Sequence, residues 1–158
     1  VYATTLRRTV ETARPLVAEL GITPRIEPDL REVHLGEFEA GELRRRAAVG
    51  DPILQRVWED QRWDHIPGAE PDEAFTVRVR RAIERIAAEH ADGTVAAFTH
   101  GGVIGKAMQL ATGSAPFAFI SADNASITHL VVTEERWVVR AWNDTGHLSD
   151  RFTAEPLI

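Results

Sequence analysis

Two segments of the sequence place polar side chains where a predicted strand gives way to a predicted helix. Residues 4–8 follow a short apolar opening, and His100-Gly101-Gly102 follows the apolar run at 94–99. In open α/β sheets, ligands bind beyond the carboxyl ends of the strands. A histidine at such a point could act as an acid or a base, and the helix N-terminus after it would attract an anion. The alternative is that His100 only ends the strand and that the two glycines only serve the turn.

Charged residues near these points could complete an anion site. Arg7 and Arg8 open the first predicted helix, where the helix dipole disfavours a cation. An anion in the cleft could hold one of them, since a guanidinium grips phosphate oxygens in pairs; two solvated arginines are the alternative. Glu32 lies with several other acids in a loop at 29–42, and loop carboxylates often act as acids or bases. The residues alone do not choose among these acids.

The composition excludes several classes of site and partner. The 158 residues contain no Cys, and the six histidines lack the spacings of metal ligands, so neither a metal nor another cofactor is predicted. A net charge of −6 argues against nucleic acid as a partner. No apolar run reaches the ~18 residues of a membrane span. No signal peptide is found, so the sequence favours a cytoplasmic protein, while the oligomeric state is not predicted.

The first helix is predicted from apolar residues at helical spacing between residues 6 and 20. Thr4 or Thr5 can cap its start, and Gly21 ends it. Pro15 lies inside this helix, and we expect a kink or a break there, because proline removes a backbone donor.

The remaining elements alternate between strand and helix. The run 94–99 has the length and continuous apolar character of a strand buried on both faces. The other predicted elements are a strand at 25–28, helices at 42–49, 51–63, 72–90 and 103–112, and a hairpin of strands at 126–133 and 136–142. This order predicts an α/β three-layer sandwich with a mostly parallel sheet, which allows an antiparallel edge.

Taken in order, five segments resemble the motifs of the histidine phosphatase superfamily, also called the phosphoglycerate mutase-like family. They are ATTLRRTVETA at 3–13, LREVHLGEFEAG at 30–41, PGAEP at 67–71, THGGV at 99–103, and the paired elements NASI and NDTGHL at 124–127 and 143–148. The resemblance covers nearly the whole chain. Some motif positions differ, among them Thr9, which stands where the family has Ala.

The resemblance also implies a role for each matched residue. Its site residues would be Arg8 as the phosphate clamp, Glu32 as the general acid, His100 as the second catalytic histidine, Thr4 and Gly101 as further phosphate- or substrate-binding residues, and Glu70 as the acid of the PGAEP segment. No metal or cofactor is implied.

The family's first motif, an Arg-His-Gly triplet after an N-terminal strand, does not occur in this sequence. Its histidine is the nucleophile that becomes phosphorylated. Because the only methionine is Met108 and the chain starts at Val1, we expect residues 1–158 to be one histidine-phosphatase-like domain shortened at its N-terminus, with a helical insertion at about 42–66. The absent segment would carry the central strand and the nucleophile, so the chain alone is expected to be inactive.

The resemblance therefore implies a phosphomonoester hydrolase that acts on a small phosphorylated substrate through a phosphohistidine. A phosphoglycerate mutase-type phosphotransferase is less favoured, because only 37 residues separate Glu32 from Glu70 and the cofactor-dependent mutases usually carry a longer insertion. Two alternatives stay open: a non-catalytic phosphate-binding protein without the nucleophile, and an unrelated α/β domain that binds another anion.

Overall fold

A short parallel sheet forms the base of an α/β fold in the computed structural model, which describes residues 1–148. Strand β1 (Tyr2–Ala3) lies in the middle and is parallel to both neighbours, β2 (Arg25–Ile26) and β3 (Ala97–Phe98). The carboxyl ends of the three strands therefore meet at one edge of the sheet. The predicted parallel α/β architecture is confirmed.

The helices lie close to their predicted positions. They are α1 (Arg7–Leu20), α2 (Glu42–Ala48), α3 (Pro52–Asp60), α4 (Asp72–Glu89) and α5 (Gly101–Thr112), with short 3₁₀ turns at 28–30, 36–38 and 63–65. Gly21 ends α1, as the sequence predicts, and Gly113 ends α5; both glycines adopt the left-handed conformation. Among the described residues, no helix combines the length and the apolar character needed to cross a membrane.

Helices cover both faces of the parallel sheet. Successive side chains of a strand point to opposite faces. Tyr2 packs in one core with Phe75 of α4 and Val103 of α5. On the other face α1 contacts β1 and β3, and the side of α1 that carries Thr9 and Ala13 is buried. The arrangement is the predicted sandwich of three layers, in which the sheet lies between α1 and the pair α4 and α5.

Helix α1 differs from the prediction in its middle and at its N-cap. The helix continues through Pro15 without a break. Pro15 and Glu11 are both exposed, so water can bind the Glu11 carbonyl that proline leaves without a donor. The residue at the N-cap is Leu6, whose side chain makes no capping bond, and the Thr4 hydroxyl contacts Leu6 N, Thr9 and His100 from two residues before it. The prediction that Thr4 or Thr5 is the N-cap of α1 is therefore wrong.

The strand predicted over 94–99 is shorter and more exposed than expected. Only Ala97 and Phe98 pair as β3, and Ala97 is exposed. Within residues 1–148, β3 pairs only with β1, and its other edge carries no strand. The hairpin of β4 (Ile127–Val132) and β5 (Trp137–Asp144) forms a separate antiparallel sheet. The prediction of burial on both faces is wrong at Ala97, because β3 is an edge strand among residues 1–148 and an apolar run does not show whether a further strand lies beside it.

Helices α2 and α3 enclose a second core. Phe38, Leu54, Val57 and Ile66 are almost fully buried in it. Trp58, Trp63 and Phe117 pack around these residues with ring centroids 5.0–6.0 Å apart. These aromatic side chains stabilise the region between α2 and α4.

The loop that carries Glu32 crosses the turn that precedes α4. Gly36 adopts φ +53°, and a Cβ there would overlap the backbone of Pro67 and Gly68. Glu37 N donates to Pro67 O at 3.0 Å, and Glu70 N donates to His34 O at 2.8 Å. The loop before α2 and the loop after α3 are therefore held together by these contacts, at residues 34–37 and 67–70.

Candidate active site

His100 stands at the N-cap of α5, directly beyond β3, and only 6% of it is exposed. Its Nε2 lies 2.9 Å from Thr4 Oγ1, and its Nδ1 accepts a hydrogen bond from Arg8 Nε at 3.2 Å. Thr4 follows β1, and Arg8 lies in the first turn of α1. The structure thus brings together three residues that are up to 96 positions apart in the sequence, at the edge of the sheet where the sequence places a ligand site.

A chain of hydrogen bonds sets the tautomer of His100. Arg8 Nε can only donate, so Nδ1 must accept, and the ring proton lies on Nε2. Nε2 then donates to Thr4 Oγ1, which also accepts from Leu6 N at 3.2 Å. The Thr4 hydroxyl donates a hydrogen bond to Thr9 Oγ1 at 3.0 Å, and the Thr9 hydroxyl donates to Leu6 O at 2.8 Å. Every donor in this buried chain has an acceptor.

Burial, followed by the positive charges of Arg8, Arg31 and Arg78, lowers the pKa of His100 to about 4. The imidazole is therefore neutral near pH 7. This agrees with the hydrogen-bond chain, which requires an unprotonated Nδ1. A neutral histidine surrounded by arginines is the state that an incoming anion would change most.

Glu32 reaches the same helix terminus from the loop at 29–42. Its Oε2 accepts from Gly102 N at 3.2 Å, and its Oε1 accepts from Val33 N at 3.0 Å. A Cβ at Gly102 would collide with the Glu32 carboxylate, whereas a Cβ at Gly101 would lie 3.9 Å from its nearest neighbour, Ala122 O. Neither glycine has a positive φ. The turn itself does not require them, and Gly102 makes room for Glu32.

Burial raises the pKa of Glu32, and this effect outweighs the hydrogen bonds from Val33 and Gly102 and the charges of Arg8 and Arg78. A raised pKa keeps the carboxyl protonated to a higher pH than usual, which suits an acid that must give up a proton and take it back. Glu32 and His100 are brought to one helix end, so the arrangement does not favour an unrelated anion-binding domain in which they would lie far apart.

Arg8 is exposed, and within residues 1–148 its side chain makes a single hydrogen bond, from Nε to His100. Its two Nη groups are therefore available to an anion. Arg7, by contrast, points outward and pairs with Glu11 at 2.7 Å. Of the two adjacent arginines, only Arg8 joins the site.

Three residues of this region were not singled out for the site from the sequence. Thr9 holds Thr4, and its only sequence signal is that it departs from the family's Ala. Arg31 and Arg78 add positive charge near His100, but in the sequence they look like ordinary polar positions. Glu70 does not approach His100; it forms a two-pronged ion pair with Arg78, at 2.6 and 2.8 Å.

Several other polar residues lie away from the site. His34 Nδ1 accepts from Gly36 N at 3.1 Å, and His90 contacts the Tyr2 hydroxyl at 3.0 Å. Asn143 bonds to Asp123 through both ends of its amide. In the described part of the chain, no three His, Asp or Glu side chains are placed to hold a metal ion.

The family model of the histidine phosphatase superfamily, branch 1, matches residues 1–145. The chain therefore belongs to this superfamily, which confirms the resemblance seen in its motifs. The structure is similar to that of a phosphoglycerate mutase from Bacillus anthracis str. Sterne, with a TM-score of 0.76 and 22% identity over 92% of this chain and 72% of the other.

Two proteins of Arabidopsis thaliana are similar in sequence. Phosphoglycerate mutase-like protein 4 is 29% identical over 95% of this chain and 66% of its own length. A metal-independent phosphoserine phosphatase is 30% identical over 94% of this chain and 63% of its own length. The chain thus spans slightly less than two thirds of each of these relatives. Phosphatases occur among the relatives, which agrees with a hydrolase of this superfamily.

Proposed function

We propose that the protein carrying this chain hydrolyses small phosphomonoesters through a phosphohistidine intermediate. One observation carries the proposal: Arg8, His100 and the Glu32 carboxylate converge on the N-terminus of α5. Unpaired N–H groups at a helix N-terminus and a guanidinium fork are both suited to phosphoryl oxygens. A carboxyl with a raised pKa beside them supplies the proton that a leaving alcohol requires.

Each residue then has a chemical role. The Nη groups of Arg8 and the N–H of Gly101 hold phosphoryl oxygens and offset the charge that develops on them. As the nucleophilic histidine nitrogen bonds to phosphorus, the bond to the ester oxygen breaks, and Glu32 protonates that oxygen. In the second half, Glu32 takes a proton from water, the water oxygen attacks phosphorus, and the N–P bond breaks to release phosphate.

His100 would respond to the bound phosphoryl group. An anion that attracts Arg8 would release Nδ1, and a negative charge beside the ring raises its pKa from about 4. His100 could then take up a proton and donate from Nδ1 to the phosphoryl group, while Thr4 keeps its bond to Nε2. We infer that phosphate binding is coupled to proton uptake at this residue.

The nucleophile is proposed to come from outside residues 1–158, because these residues contain no Arg-His-Gly triplet. A strand that precedes such a triplet would fit beside β3, whose second edge carries no strand among residues 1–148. In that arrangement residues 1–158 belong to a single domain, and residues 42–66 are an insertion on it. The chain by itself would bind phosphate without turning it over.

A phosphate-binding protein without catalysis is the second candidate, because Arg8, His100 and the N-terminus of α5 would hold a phosphate whether or not a nucleophile is present. The two candidates differ in one product. A phosphatase incubated with substrate and quenched contains acid-labile phosphohistidine, whereas the binding protein retains phosphate or vanadate without a covalent bond. A mutase would pass the phosphoryl group to a sugar-acid hydroxyl rather than to water.

The test is the release of phosphate from p-nitrophenyl phosphate by the protein that carries this chain, compared with its Arg8→Ala and His100→Ala variants. Loss of the clamp is expected to reduce kcat/KM by ~10²–10³-fold. Arg7→Ala is the matched control, since Arg7 opens the same helix but pairs outward with Glu11. Full activity in both site variants would overturn the assignment of these residues.

A further inference from the structure

The guanidinium of Arg78, on α4, is bonded at all of its donors. Nε and Nη2 donate to the two oxygens of Glu70 at 2.6 and 2.8 Å. Nη1 donates to the carbonyl oxygens of Asp29 at 2.7 Å and Arg31 at 2.6 Å, and Nη2 also donates to Glu32 O at 3.2 Å. An arginine has five N–H donors, so each one is used.

These bonds fix the backbone on which Glu32 stands. Three of the carbonyl groups between residues 29 and 32 accept from one rigid planar group, and only 20% of the Arg78 side chain is exposed. Glu70 connects the same group to the far side of the loop, since Glu70 N donates to His34 O at 2.8 Å. Residues on both sides of Glu32 are therefore held by the pair of Arg78 and Glu70.

We propose that Arg78, held by Glu70, is a positioning residue that keeps the Glu32 carboxylate against the N-terminus of α5. Arg78 does not contact the carboxylate of Glu32; it acts through the main chain. The proposal rests on the proposed function only in naming Glu32 as the acid of the reaction.

Lysine cannot replace arginine in this role. An ammonium group offers three donors around a point, whereas the five acceptors here lie around a plane. A lysine at position 78 would keep the positive charge and lose the fixed geometry. The charge also matters, because Arg78 opposes the rise in the pKa of Glu32. Comparison of Lys with Gln at position 78 separates the geometric effect from the electrostatic one.

The experiment follows the Gly102 amide of the chain by NMR, without turnover. Gly102 N lies 3.2 Å from Glu32 Oε2, so its amide shift should change as Glu32 titrates. We expect Arg78→Lys to lose most of this pH-dependent shift, and Arg78→Gln to lose most of it while the part that remains is centred at a higher pH. Arg80→Lys is the control: Arg80 is exposed on the same helix, and its one ion pair among residues 1–148 is with Glu84, at 3.8 Å.

Glu70→Gln is the second variant, which decides the matter if Arg78→Lys does not fold. It keeps the bonds from Arg78 to the carbonyl groups but removes the charge that holds the guanidinium, so part of the Gly102 shift should be lost. In the catalytic protein, Arg78→Lys should lower kcat by about 10²-fold with little change in KM, the effect of a misplaced reacting group.

An unchanged Gly102 titration in the folded Arg78 or Glu70 variants would overturn the positioning role. This readout is separate from the reaction. If the protein proved not to be a phosphatase, the amide titration would still report whether Arg78 fixes the position of Glu32. If Glu32 proved to be the acid but the titration did not move, only the proposal about Arg78 would fail.

Discussion

His100 and Glu32 lie on two sides of the N-terminus of α5, and different kinds of structure hold them. His100 ends a strand and starts a helix, and its bonds go to Thr4 and Arg8 at the neighbouring strand end. Glu32 lies in irregular chain, and what holds it comes from a helix more than 40 residues away. The ends of β3 and α5 fix the position of His100, whereas Glu32 is held in place by a set of hydrogen bonds to its loop. We therefore expect substitutions around Glu32 and substitutions around His100 to affect different properties of the protein.

The largest expected effect concerns Glu32 and depends on the leaving group. In the catalytic protein, Glu32→Gln should slow the first-turnover release of alcohol from an alkyl phosphate by ~10²–10⁴-fold, the usual contribution of a general acid. Release of p-nitrophenolate, a weakly basic leaving group, should fall far less. Rapid-quench measurement of both substrates provides the check, and equal losses on the two would rule out Glu32 as the proton donor.

The next effect concerns His100 and the pH dependence of stability. Its pKa is about 4 when folded and 6.5 for the ordinary group. As pH falls from about 6.5 to about 4, the unfolded chain gains a proton here that the folded chain does not, so stability is lost. The loss should reach about 3 kcal/mol, and His100→Gln should lack it.

Urea unfolding of both proteins at pH 7 and pH 4 measures this difference. The wild type should lose about 3 kcal/mol relative to His100→Gln on acidification. A constant difference between the two proteins would mean that His100 is not held neutral, which would also contradict the proton arrangement in the Thr4 and Thr9 chain.

A smaller effect is expected for Thr4. Thr4→Val leaves His100 Nε2 and Leu6 N without their acceptor, at a cost of ~1–3 kcal/mol in the free energy of unfolding. Thr4→Ser keeps the hydroxyl and serves as the matched control. Thermal unfolding of the two variants should separate them; a stable Thr4→Val beside a destabilised Thr4→Ser would show that the methyl group, rather than the hydroxyl, matters at this position.

The smallest effect is expected for the contact between the Glu32 carboxylate and Gly102 of α5. Gly102→Ala displaces the Glu32 carboxylate and removes a charge-assisted bond, while alanine gains up to about 1 kcal/mol as a helix former, so the net loss should be about 1 kcal/mol. Gly101→Ala has room for its methyl group and should not destabilise the protein. Chemical denaturation measures both, and a stable Gly102→Ala with an unshifted Glu32 titration would contradict the described contact.

The two sides also differ in how far the sequence predicts them. Helical spacing, Gly21 and the His100-Gly101-Gly102 triplet are local signals, so the helices and the position of His100 follow from short windows of sequence. The choice of Glu32 did not follow from its local sequence; only the family motif distinguished it. In the structure, Glu39 accepts from Leu35 N at 2.9 Å and Glu42 pairs with Arg46 at 2.9 Å. Both of these acids therefore bond to residues four positions away in the sequence.

Longer-range features were not predictable in the same way. The role of Arg78 depends on carbonyl groups 46 to 49 residues away, and carbonyl groups carry no sequence signal. The exposure of Ala97 depends on what lies beside β3. The continuity of α1 through Pro15 depends on which face of the helix meets water. In each case the structure depends on a group or on solvent that lies outside the short stretch of residues from which a sequence pattern is recognised.

The close approach of Gly36 to Pro67 has a consequence for how this fold can vary. Because the outgoing and returning chains are fastened at this crossing, the two ends of the segment between them are held close together. Lengthening a closed loop is inexpensive, at about 0.6 kcal/mol for each doubling. Residues 38–66 can therefore be exchanged for segments of other lengths, in chimaeras or over evolutionary time, while the carboxyl group of Glu32 stays in register with α5.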